Sequence, residues 1–192
     1  MTGKDADGRS VKRRALVLIT LIVLVGIGVP ILLNLITGSL SIPHNDAWSH
    51  SKIAQTYADT GSWVFLDWNR TALVGQIVIL GPLAHSIVAQ QLAVALLGAV
   101  ALVCTYLYTC SRIGRSRALL VTALLAALPE FGLLSTSFMS DIPALAGVLL
   151  GLVLTDIALR RKSAALPSSS STNGARRGSS TSWVRSAIAS SV

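Results

Sequence analysis

The sequence predicts an all-α fold: a polytopic membrane protein with about four transmembrane helices, amphipathic interfacial helices in its first outer loop and a disordered C-terminal tail. Three observations predict it. Hydrophobic residues make up 52% of the 192 residues and charged residues only 12%, whereas a soluble domain is about a quarter charged. The mean hydropathy is accordingly +0.66. Apolar runs close to the roughly 20 residues that a hydrocarbon core requires recur along the chain. Lys and Arg gather at alternate ends of those runs, the positive-inside pattern. The net charge of +8 is therefore a topology signal, and without a continuous basic face carrying aromatics nucleic acid is not an expected partner.

Residues 1–14 read as a basic cytoplasmic N-terminus with Lys4, Arg9, Lys12, Arg13 and Arg14. The first span, 15–37, is longer than the apolar core of a signal peptide and lacks a small-x-small cleavage site, which makes it a signal anchor. Gly26, Gly28 and Pro30 predict that this helix is kinked or closely packed.

The outer loop, 38–87, holds Asp46, Asp59 and Asp67, with Trp48, Trp63 and Trp68 as an interface belt. Asn45 or Asp46 is positioned to cap a helix of about four turns, and Gly61 to end it. Trp48, Ile53, Ala54, Tyr57 and Ala58 share one side of that helix, with Ser51, Lys52, Gln55 and Asp59 elsewhere, as in a helix lying along a membrane surface. Gly81-Pro82 and His85 break the apolar stretch 73–87. An odd number of crossings must bring Arg112, Arg115 and Arg117 inside, so this stretch reads as interfacial or re-entrant and 88–110 as the crossing.

The span 118–137 returns outward, interrupted at Pro129-Glu130, and 142–159 goes back in with Pro143 in its first turn. Arg160, Arg161 and Lys162 stop it, and Asp156 stands four residues before Arg160, the spacing of a helical ion pair. Cys104 and Cys110, six residues apart in an apolar run, read as small apolar residues. From 163 to 192 the composition shifts to Ser, Thr, Gly, Ala and Arg, a disordered cytoplasmic tail. Both termini are thus expected in the cytoplasm of a multi-pass plasma-membrane protein.

Two carboxylates, Asp46 and Asp141, fall on the same outer face, each at the start of a helix. Capping accounts for either one alone. Converging on one cavity, they could orient or deprotonate a hydroxyl acceptor, bind a divalent metal or hold a sugar. His44, Asp46 and His50 are the candidate metal ligands, too few to assign a metal; a divalent ion stays open as a cofactor. Glu130, ionisable within an apolar run, reads either as functional or as the first turn of a new helix. Gln76 and His85 line a cavity or pack helices, and Lys52 and Arg70 are the cations of the outer face. No phosphate-cradling glycine loop, zinc-spaced Cys pair or nucleophile elbow is present.

Asn45-Asp46-Ala47-Trp48 leading through Ala54 to Thr60-Gly61, then Gly75-Gln76, then Ser137-Phe138-Met139-Ser140-Asp141-Ile142-Pro143, resembles the start of a GT-C superfamily membrane glycosyltransferase of the protein mannosyltransferase and aminoarabinose transferase type, family 39-like. The resemblance covers roughly residues 12–162. It implies a sugar donor on a polyprenyl phosphate, Asp46 as general base at the acceptor, Asp141 building the same site, and inverting displacement with the lipid phosphate as leaving group. His50, Arg70, Gln76 and Glu130 are the candidate substrate-binding residues around that pair. Membrane lipid and a membrane-protein partner complete the expected partners. Such enzymes continue through many more spans, so truncation or a shifted reading frame after Lys162 is expected, with no activity in isolation. The alternative is a non-catalytic four-span protein, an assembly partner or a remnant of such an enzyme.

Overall fold

The computed structural model describes residues 3–43, 46–65 and 74–165. All regular structure among these residues is helical, with no strand among them. The chain opens as one rod: α1 (Gly3–Val23), a π-helical stretch at Leu24–Gly28, and α2 (Val29–Ile36). The helix begins at Gly3, so the basic residues before Ala15 lie on it rather than ahead of it. Proline has no N–H to give the preceding turn and its ring crowds that turn's carbonyl, which accounts for π-helical winding just ahead of Pro30. The remaining elements are α3 (Ala47–Thr60), α4 (Val74–Leu80) with a 3-10 turn at Gly81–Leu83, α5 (Ile87–Ile113), α6 (Arg115–Ala127), α7 (Pro129–Ser135) and α8 (Asp141–Ala165).

Three segments are long and apolar enough to cross a membrane: 13–36, 87–113 and 141–162. A fourth is the pair α6 and α7 if taken together, bent by 69°. That bend sits at Leu128, extended at φ −68° and ψ 125° because a residue before proline is pushed out of the helical region. The stretch α4 with its 3-10 turn is far shorter than the roughly 20 residues of a crossing, and Gly81-Pro82 turns it back.

Helix α5 is the hub. Its crossing is 44% buried against 17% for the first rod and for α8, and α6 and α8 make its most extensive packing. Val94, Ala95, Gly98, Ala101, Leu102 and Thr105 recur at helical spacing along its buried face. Glycines let the first rod approach closely. A Cβ on Gly26 would lie 2.8 Å from the Cβ of Ala126, and one on Gly98 would lie 2.9 Å from Ile27 Cδ1. Gly132 meets Pro30 Cγ at 3.1 Å in the same way.

Gly114, at φ 84° and ψ 166°, joins α5 to α6 through a backbone conformation that essentially only glycine adopts. The reversal places Arg115 beside Ala15 at one end of the bundle. Asp156 closes the same end, accepting from Arg160 Nε at 2.8 Å and from Arg112 Nη2 at 3.2 Å. The ion pair expected within α8 thus also ties α8 to α5. Cys104 and Cys110 are free thiols.

Candidate functional site

At the opposite end, α3 lies across the start of α5 and the turn between α7 and α8. Gly61, in the left-handed conformation at φ 67°, ends α3 as expected, its N–H donating to Tyr57 O at 2.8 Å. The start of the helix differs from expectation. Asp46 makes no side-chain cap, because its own backbone is already helical at φ −75° and ψ −4°, whereas a capping residue is extended. Its carbonyl accepts from the N–H groups of Ser49 and His50 and from the Ser49 hydroxyl, while its carboxylate stays exposed. Asn45 and His44 lie outside the described residues.

The buried side of α3 is only in part the predicted apolar one: Ile53 and Ala54 are buried and Tyr57 is half-buried. Ala47, His50, Ser51 and Ala54 face inward, whereas Trp48 and Ala58 are exposed. The polar side chains buried with Ile53 and Ala54 have hydrogen-bond partners. His50, 5% exposed, places Nδ1 3.3 Å from the carbonyl oxygen of Phe138. A carbonyl can only accept, so Nδ1 carries the proton in this contact. Ser51 donates to Gln90 Oε1, and Gln90 Nε2 donates in turn to Ala84 O at 2.9 Å. Gln91 Nε2 reaches Ile42 O at 3.0 Å. The sequence reading missed this belt. Its signal was the pair of adjacent glutamines near the start of an otherwise apolar helix, which burial obliges to find partners.

Phe138, only 1% exposed, anchors the turn that leads into α8. The N–H of Met139 donates to Ser137 O at 2.7 Å, tightening that turn, and Ser140 O then accepts from Ala144 N–H to open the helix. Asp141 is the first residue of α8, and its carboxylate is exposed. The contact from His50 to Phe138 therefore fastens two helix starts to one end: Asp46 stands one turn before His50, and Asp141 three residues after Phe138.

Gln76 sits on α4, 8% exposed, and neither its amide oxygen nor its nitrogen has a hydrogen-bond partner among the described residues. It lines an apolar groove of about 480 Å³ with Leu80, Leu97, Ser140, Ala144 and Gly147. Ser140, half-buried, is the residue before Asp141.

Not every candidate joins this cluster. Glu130 is exposed in the first turn of α7, and neither a hydrogen bond nor the groove connects it with Asp46, Asp141 or Gln76. His85 is exposed, with Nε2 3.5 Å from Asp59 Oδ1. Lys52 is exposed on α3. Arg70 lies outside the described residues. Among the described residues, no three His, Cys, Asp or Glu side chains gather in a way that could hold a metal ion.

Compared with protein-family models, with curated proteins and with solved structures, the chain finds no match in any of the three.

Proposed function

We propose that the chain is a multi-pass plasma-membrane protein with both termini in the cytoplasm, forming the N-terminal part of a glycosyltransferase. It moves a sugar from a polyprenyl-phosphate donor to an acceptor at the outer membrane face. The observation that carries this reading is the buried amide of Gln76, unpartnered among the described residues, in an apolar groove also lined by Ser140, the residue before Asp141. An amide without partners in an apolar wall is costly unless a ligand completes it. A ligand with a long apolar tail and a polar head suits such a wall. The bundle's charge asymmetry, with arginines at the far end, supports an outward-facing Asp46 and Asp141. In this reading the Asp46 carboxylate takes the acceptor hydroxyl proton as the acceptor oxygen bonds to the anomeric carbon and the lipid phosphate departs with the electrons of the broken sugar–phosphate bond. Asp141 orients the reacting groups, and Gln76 hydrogen-bonds the polar end of the donor.

Gln76→Leu separates ligand binding from folding. Leucine removes an unsatisfied buried amide, so stability is expected to hold or rise. Binding of a polyprenyl monophosphate to the purified full chain is expected to weaken about tenfold or more, the worth of one hydrogen bond to a charged group. Unchanged binding in this variant, or no binding by the native chain, overturns the donor assignment.

The second reading, a non-catalytic assembly partner, rests on α8. Gly147 and Gly151 lie exposed one turn apart with no atom near the place of a Cβ, which suits close approach by another helix.

A further inference from the structure

A second groove, of about 590 Å³, runs along the arginine half of the bundle between α1 and α5. Ala15 and Ile19 form its buried floor, Val103 and Leu107 its exposed rim, and Tyr106 and Arg115 stand along it toward the α6 junction. From Ala15 to Leu24 it covers nine helical steps, about 14 Å, close to the roughly 15 Å of one leaflet's hydrocarbon. One end is cationic. Asp156, at the same end, is already shared by Arg112 and Arg160, whereas Arg115 has no ion pair among the described residues. Arg13 and Arg14 precede Ala15 in sequence and Arg117 follows two residues after Arg115, all exposed.

We propose that this groove holds one anionic glycerophospholipid of the inner leaflet, its acyl chain along Ile19 and Leu107 and its phosphate on Arg115. A chain-length apolar trough with a guanidinium that has no ion pair among the described residues at one end matches the two parts of such a lipid, and basic pockets between spans at the cytoplasmic side bind acidic headgroups. The proposal rests on the membrane orientation given above but on no part of the sugar chemistry.

The test is native mass spectrometry of the full chain released from neutral detergent, with phosphatidylglycerol or phosphatidylcholine of identical acyl chains. The native chain is expected to retain one phosphatidylglycerol about fivefold more than phosphatidylcholine, as expected for one basic side chain near an acidic headgroup. Arg115→Gln is expected to bring the ratio close to one, and Arg115→Lys to preserve most of it, each with helix content unchanged by circular dichroism. Arg161→Gln, an exposed charge on α8 outside the groove, is expected to leave the ratio intact. Equal retention of the two lipids by the native chain overturns the proposal. So does an Arg161→Gln effect as large as that of Arg115→Gln, or competition by glycerol 3-phosphate as strong as by the lipid. A dimer that excludes lipid from the groove overturns it as well. These outcomes leave the transferase reading untouched, just as failed polyprenyl binding leaves this groove untouched.

Discussion

Asp46→Asn is expected to lower sugar transfer by about 10²–10⁴-fold, the usual contribution of a positioned general base. The substitution isolates chemistry from folding for a structural reason. The Asp46 carboxylate is exposed and holds no capping bond, and the backbone carbonyl that Ser49 and His50 use is unaffected by the change. Asparagine keeps the shape and loses the basicity. Transfer of labelled sugar from a polyprenyl-phosphate donor, in membranes containing the chain with its native membrane partners, checks this. The turnover number should fall with little change in the donor KM, since Asp46 acts on the acceptor proton. Undiminished transfer by the variant removes Asp46 from the reaction. Absence of transfer by the native protein favours the assembly-partner reading.

Gly26→Leu is expected to destabilise the bundle by about 1–3 kcal/mol or more, the cost of overpacking a tight contact. A Cβ alone would sit 2.8 Å from Ala126 Cβ and 3.4 Å from its Cα. Neither atom belongs to a flexible side chain that could swing aside, so the first rod must separate from α6. Gly28→Leu is the control, with nothing within 4 Å of its Cβ position. Thermal unfolding in detergent should show a clear drop for the first variant and almost none for the second. Equal effects would mean that the rod and α6 do not meet at Gly26.

Legibility in the sequence follows the range of the interaction. Local signals read directly: Gly61 as the end of α3, Pro129 as a break, Pro143 in the first turn of α8, and Asp156 with Arg160 one turn apart. The three long apolar helices follow from run length alone. Partners distant in sequence were not legible. Ser51 looked like a solvent-facing residue because its acceptor, Gln90, is 39 residues away, and His50 looked like a loop ligand because Phe138 is 88 residues away. Of the apolar side expected for α3, Ile53 and Ala54 are buried, whereas Trp48 and Ala58 are exposed. The two carboxylates were legible as helix starts at a common end, but not the uncapped state of Asp46, which depends on backbone angles at one residue.

The orientation of the bundle carries the whole functional account, since Asp46 and Asp141 can meet an outer-face acceptor only if their end faces outward. Single cysteines at Ser62 and Ser116, both exposed, in a variant lacking Cys104 and Cys110, report it through a membrane-impermeant maleimide applied to intact cells. The account predicts labelling at position 62 without permeabilisation and at position 116 only after it. Labelling of position 116 in intact cells, with or without position 62, contradicts it.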